Sequence, residues 1–329
     1  MTFNKNYLFI SLIVIFSFFV NFYYAHIGVM PNDNFVLYNG GYRVLNGYVP
    51  FKDYWLITGP LLDYLNALFF LIGGISWKVY IAHSSIFNSL IALSTYFFLT
   101  TLKLNRNFSL FYSILFSLLM YPVVGTPFVD HHSTIFMMLA YYLLIAGIKK
   151  SNNNLFLFIP FFMCLAFFSK QTPATYGLIC LLLIFFIHIF LNPNKFISII
   201  KPLIYGSLFS LSLLIIFYYL SGITFSDFFQ QYILFAKTIG DYRISNYDFN
   251  FGSIFLEYKF VNILLLALIF ILFRLPNKFD KNKKEFLIIF SLVLLSLLLI
   301  FHQIITSNQN YIFFLIPLIT ALIHVFHSK

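Results

Sequence analysis

Apolar residues run through this chain in long blocks separated by short polar stretches. The blocks cover 7–27, 78–102, 107–121, 132–148, 155–169, 172–191, 202–221, 252–274, 286–305 and 310–327. Crossing a bilayer core of about 30 Å takes roughly 20 apolar residues in a helix, so the pattern predicts about ten transmembrane helices. The shorter apolar piece 60–73 follows Gly59-Pro60 and stops at Gly73-Gly74. It predicts a helix lying at the interface or packed re-entrantly. In the first loop, Phe35, Tyr38, Tyr42 and Leu45 recur at helical spacing, with Asn39, Arg43 and Asn46 on another face. That stripe predicts an amphipathic helix in the membrane plane, starting with Asp33 as N-cap and ending at Gly47. The first block has a basic Lys5 and a long apolar core with no small-x-small cleavage site after it, so it reads as a retained span.

Composition sharpens this picture. The 329 residues are 61% hydrophobic and 9% charged, whereas a soluble domain carries roughly 25% charged residues. A cytosolic enzyme, a disulfide scaffold, a disordered chain and a nucleic-acid-binding domain are excluded. Cys164 and Cys180 lie inside apolar blocks and read as packing residues. The net charge of +10 comes from basic residues in short loops rather than on one face. With both termini inside, the inner segments hold Lys5, Lys103, Arg106, Lys149, Lys150, Lys195, Lys201, Arg274, Lys278, Lys281, Lys283, Lys284 and Lys329, which are 13 of the 20 Lys and Arg residues. This is the bias that the positive-inside rule requires. On the outer side fall 8 of the 10 acidic residues, with Asp280 and Glu285 inside. The expected fold is therefore an all-α polytopic membrane protein, one domain over 1–329 with no separate soluble domain. Its polar chemistry gathers in outer loops 28–77 and 222–251.

The first of these loops resembles a known family. Asp33 follows the first span, an interfacial helix ends in a turn with Gly47 and Pro50, Asp53 follows, and Gly59-Pro60-Leu61 opens a second short helix. Phe168-Ser169-Lys170-Gln171 stands at an outer span end, and Gln309-Asn310-Tyr311 precedes Phe314 and Pro317. This arrangement resembles the GT-C glycosyltransferases, in particular the bacterial relatives of protein O-mannosyltransferases, the lipid A aminoarabinose transferases and the Rgt-type lipopolysaccharide transferases. The family's Asp-Glu pair is Asp33-Asn34 here, and its late His before Tyr is Asn310. The resemblance implies a GT-C-like fold in a bacterial inner membrane with the site on the outer side. It also implies a polyprenyl-phosphate sugar donor and a glycan, glycolipid or protein acceptor.

Such a transfer needs a carboxylate to take the acceptor's proton and fixed cations or donors for the departing phosphate. Asp33 is the candidate base by position and by the resemblance; as a plain N-cap it would contribute about 1 kcal/mol to stability. Asp130 matches by position an acidic residue that the family carries in the next outer loop. Lys170 ends an apolar span, so its ammonium reaches headgroup depth; it is the candidate phosphate ligand, against a snorkelling role. Gln171, Arg43, His131 and His132 are further candidates for the phosphate. Asp53, Tyr242, Arg243, Asn310 and Tyr311 are candidates for orienting the acceptor or the loops. Adjacent His131 and His132 do not share a helix face as a chelating pair would, so a divalent metal is the less favoured reading and no cofactor is assigned. His83 and His302 read as packing residues. A lipid-linked-sugar flippase is the alternative from another class, although charges at mid-span, the mark of transporters, are missing here. A surface-polysaccharide polymerase or ligase is the other.

Overall fold

The computed structural model of the chain describes residues 5–27, 31–247, 250–274, 279–306 and 309–327. Asp248, Lys278 and Lys329 lie outside it, as do the side chains of Lys5, Asp280, Lys281, Gln309 and Asn310. The described residues form helices and no named strand: α1 (Lys5–Ile27), α2 (Pro31–Leu45), α3 (Leu61–Gly73), α4 (Trp77–Thr101), α5 (Arg106–Leu119), α6 (Val129–Lys150), α7 (Ile159–Ser169), α8 (Gln171–Phe190), α9 (Phe196–Ser221), α10 (Phe225–Phe228), α11 (Phe235–Ser245), α12 (Lys259–Arg274), α13 (Phe279–Thr306) and α14 (Leu315–His327).

Among the described residues, five segments are long and apolar enough to cross a membrane: Asn6–Ile27, Val129–Lys150, Gln171–Phe190, Pro193–Ser221 and Lys283–Thr306. Helices α3 and α4 pass the same test together, bent by 119° at their break, which makes up to six. The other apolar blocks fold as α5, α12 and the shorter apolar segments Asn153–Ser169 and Leu315–His327, each below the roughly 20-residue length of a full crossing. The block 252–274 opens as a π-turn over Gly252–Leu256, so α12 begins only at Lys259. Helix α6 is the centre of the bundle, with 83% of its span buried against 22% for α1 and 11% for Pro193–Ser221. Those two outer helices leave Phe19, Ile197 and Tyr219 exposed, as lipid-facing helices do.

The loop helix differs in detail from the expectation. Pro31 opens α2, which suits a first helical turn whose N–H has no partner, and Asp33 sits inside that turn rather than capping it. Phe35 and Tyr42 are exposed, while Asn34, Leu37, Gly40 and Gly41 turn inward. The inward face is set by α3. A Cβ on Gly40 would lie 2.2 Å from Asp63 Oδ1, and one on Gly41 would lie 2.4 Å from Asn66 Cβ. The two helices therefore meet backbone to side chain, and apolarity alone does not reveal which face does so.

Candidate functional site

The polar centre lies at the start of α6. Asp130 stands in its first turn with a side chain only 5% exposed, and Lys170 Nζ sits 2.6 Å from Asp130 Oδ2. Lys170 occupies a break between α7 and α8, in extended backbone (φ −159°, ψ 140°). Pro173 explains the break, because its ring clashes with the carbonyl four residues back and stops α7 from continuing, yet it is tolerated in the first turn of α8. The Ser133 hydroxyl donates to Lys170 O at 3.1 Å, tying the break to α6.

Two further groups converge from other helices. His302, near the C-terminal end of α13, places Nε2 4.0 Å from Asp130 Oδ1 and 3.1 Å from Thr172 Oγ1. The Gln303 amide lies 2.7 Å from His302 Nδ1 and fixes the ring with Nε2 facing Thr172 and Asp130. The Tyr311 hydroxyl donates to the backbone carbonyl of Asp130 and shares a hydrogen bond with Thr134 Oγ1. Lys170 and His302 thus approach the carboxylate, while Tyr311 holds the backbone of the same residue. A buried charge is tolerated only when paired and hydrogen-bonded, and this one is.

Behind it runs a chain of buried polar contacts. The Tyr121 hydroxyl meets His132 Nδ1 at 2.5 Å, His132 Nε2 meets His83 Nε2 at 3.0 Å, and His83 Nδ1 meets Asn66 Oδ1 at 2.7 Å. Asn66 Nδ2 ends the chain on Leu37 O at 3.1 Å. His131 is buried between the rings of Tyr121 and Tyr311. Both neighbouring histidines therefore face the protein interior, not an open phosphate site as the sequence suggests.

The region joining α2 to α3 is organised around a residue not singled out from sequence. Asp63 is 1% exposed and accepts from the Tyr54 hydroxyl at 2.6 Å, while the Arg43 guanidinium lies over the Tyr54 ring at 5.1 Å. Burial lifts the Asp63 carboxyl from 3.8 to about 7, against the pull of the Tyr54 hydroxyl and the Arg43 charge. An acidic residue in the first turn of an otherwise apolar helix is the signal for it. Asp53 accepts from Val49 N at 2.7 Å and closes the loop on itself. Arg43 O in turn accepts from Tyr48 N at 3.1 Å, so this turn stays at the C-terminal end of α2. Ten residues, about 15 Å of helix, separate Arg43 from Asp33.

Asp33 is exposed at the other end of α2, and its neighbour's carbonyl, Asn34 O, accepts from Tyr80 OH at 3.0 Å. The same hydroxyl lies 3.4 Å from Pro127 O, three residues before Asp130. The start of α2 and the start of α6 thus stand at one end of the bundle. Gln171 is not a free donor there: its Nε2 is committed to Ile57 O at 3.0 Å and Tyr232 O at 2.7 Å. Gln231 adds Leu56 N at 2.9 Å and Phe51 O at 2.7 Å, so the segment after α9 is stitched over the loop between α2 and α3. Tyr242 and Arg243 are exposed on α11.

Next to Lys170, Gly59 N donates to Ser169 O at 3.1 Å, and a Cβ on Gly59 would lie 1.8 Å from Phe168 O. An apolar cavity of about 330 Å³ opens from there between α3, α7 and α9, with Leu61, Cys164, Phe168, Leu213 and Phe217 in its wall. Among the described residues no three His, Cys, Asp or Glu side chains are gathered for a metal ion. No family model, curated protein or solved structure matches this chain.

Proposed function

We propose that this chain is a GT-C-like membrane glycosyltransferase that moves a sugar from a polyprenyl-phosphate carrier to an acceptor hydroxyl on the outer side of a bacterial inner membrane. The reading counts ten crossings, taking α5, α7, α12 and α14 with the longer helices. The observation that carries it is Lys170, which faces Asp130 on one side and stands two residues after Phe168, a residue in the wall of the apolar cavity. A lipid-linked phosphate needs this juxtaposition of a cation and an apolar channel.

In the proposed reaction the donor phosphate takes Lys170 as its partner, and His302 keeps Asp130 in place. The acceptor oxygen attacks the anomeric carbon in one step and inverts it. Its proton passes to Asp33, whose exposure lets it meet an acceptor from outside. The bond from anomeric carbon to phosphate oxygen breaks, the electron pair stays on the phosphate, and the charge left there is neutralised by Lys170. A positioned general base contributes roughly 10²–10⁴-fold.

The test is release of polyprenyl phosphate by the purified full chain, supplied with a panel of polyprenyl-phosphate sugars and membrane-extracted acceptors. Asp33→Asn is expected to slow release at least 100-fold, and Lys170→Met to raise KM for the donor. Wild-type release by Asp33→Asn removes the base assignment. Movement of the lipid-linked sugar across proteoliposomes without a glycosidic product turns the reading to a flippase.

A further inference from the structure

Helices α6, α8 and α13 run from the Asp130 end to a second polar region that the sugar-transfer reading does not use. There a cavity of about 410 Å³ lies among the ends of four helices, within the roughly 300–1,000 Å³ of small-ligand sites. Its wall includes Lys195, Lys283 and Lys284, together with His188, Asn192 and Ser198. We propose that this cavity binds a phosphate-bearing anion, as carried by an acidic lipid headgroup or by a soluble phosphate compound.

Three observations support the assignment. First, Lys195 directly precedes α9, while Lys283 and Lys284 come from the second turn of α13, so three cations from two helices face one cavity. Lys195 adds to the positive end of the α9 dipole, and an anion in the cavity complements both. Second, Ser198 and Asn153 line the same cavity and are tied to each other and to Lys195: the Ser198 hydroxyl donates to Lys195 O at 2.8 Å and accepts from Asn153 Nδ2 at 3.0 Å, which gives the cations a fixed polar wall. Third, Lys284 is held in place, donating to Ser151 Oγ at 2.6 Å and lying 3.4 Å from Lys149 O. The positive-inside bias accounts for lysines in loops facing water. It does not account for lysines from two separate helices facing one cavity. Basic pockets between helices at this face are the usual seat of acidic lipid headgroups.

Thermal unfolding of the full chain in zwitterionic detergent tests the proposal, with phosphatidylglycerol titrated against phosphatidylcholine, and inorganic phosphate against chloride at equal ionic strength. Phosphatidylglycerol or inorganic phosphate is expected to raise the midpoint above its control. A response to the lipid alone assigns the site to a headgroup; a response to inorganic phosphate as well assigns it to a soluble phosphate compound. The double variant Lys195→Gln/Lys284→Gln is expected to weaken the apparent affinity at least tenfold, while Lys201→Gln, outside the cavity wall, leaves it unchanged. If the double variant does not fold, Lys195→Gln alone, at an exposed side chain, is expected to weaken it about threefold. No stabilisation by either anion, or variants that respond as the wild type does, overturns the proposal.

Discussion

Helices α6, α8 and α13 carry polar residues at both tips: Asp130, Gln171 and His302 at one, Lys150, His188 and Lys284 at the other. At the first tip one carboxylate meets one lysine at 2.6 Å and is only 5% exposed. Its neighbours are spoken for by Tyr311, Thr134, Thr172 and Ser133. At the second tip several lysines face a cavity of about 410 Å³, and the carboxylate of Glu285, 22% exposed, lies 3.1 Å from Lys149. Both ends contain an ion pair of similar length, so distance does not separate them. What differs is whether the charges can reach water once a partner is lost, and how many positive charges gather in one place. A buried pair defines one geometry; a cavity lined by three lysines suits an anionic ligand.

The sharpest way to break this comparison is to remove one partner of the buried pair. Lys170→Met leaves Asp130 charged in a closed site and is expected to cost about 3–5 kcal/mol in an unfolding measurement. Replacing both partners, Asp130→Asn with Lys170→Met, is expected to recover more than half of that loss. A single variant as stable as the wild type would mean that water enters this tip freely.

A smaller effect is expected where the loop closes over the same end. Gly59→Ala forces a methyl against Phe168 O, and backbone on both sides has no room to give. The expected loss is about 1–3 kcal/mol, the range for overpacking, read as a lower unfolding midpoint. Asp63 gives the same region a pH signature. Its folded value of about 7 lies above the unfolded 3.8, so the folded state holds a proton that the unfolded chain releases. Its contribution therefore falls as pH rises between about 4 and 7 and is flat above that. The unfolding midpoint is expected to be higher at pH 5 than at pH 7.5, and Asp63→Asn to flatten that difference while keeping an acceptor for Tyr54.

Much of the framework is legible in the sequence, because apolar blocks and Gly-Pro breaks mark helices through local physics. Every block appears as a helix near its expected place, and α3 turns sharply against α4 as a short piece between glycines would. Asp130, Lys170 and Tyr311 stood out because each sits at the edge of an apolar block, and they meet. Other features depend on what lies across the bundle. His302 reads as packing until α6 and α8 bring Asp130 and Thr172 to it. Gln171 reads as a donor for a ligand until Ile57 and Tyr232 claim its amide. The stripe on α2 misleads because its buried face is made by glycines, which carry no apolar signal. The number of crossings is legible only coarsely, since blocks of 13 to 16 residues such as α14 and α12 fall short of a clear span.

The smallest effect is expected from the ion pair at the basic tip. Lys149 and Glu285 have side chains 14% and 22% exposed, so each already touches solvent. Lys149→Met removes one of several positive charges from a region where like charges crowd, and the repulsion it relieves offsets part of the lost attraction. The carboxylate left behind can hydrate, unlike Asp130. The expected cost is about 0–1 kcal/mol, the range of exposed pairs, several times less than for Lys170→Met. Because the two pairs have the same chemistry, the ratio of the two losses isolates burial and charge crowding from contact distance. Equal losses would mean that the basic tip is as tightly sealed as the other, and a sealed tip has no room for an anion from the membrane surface.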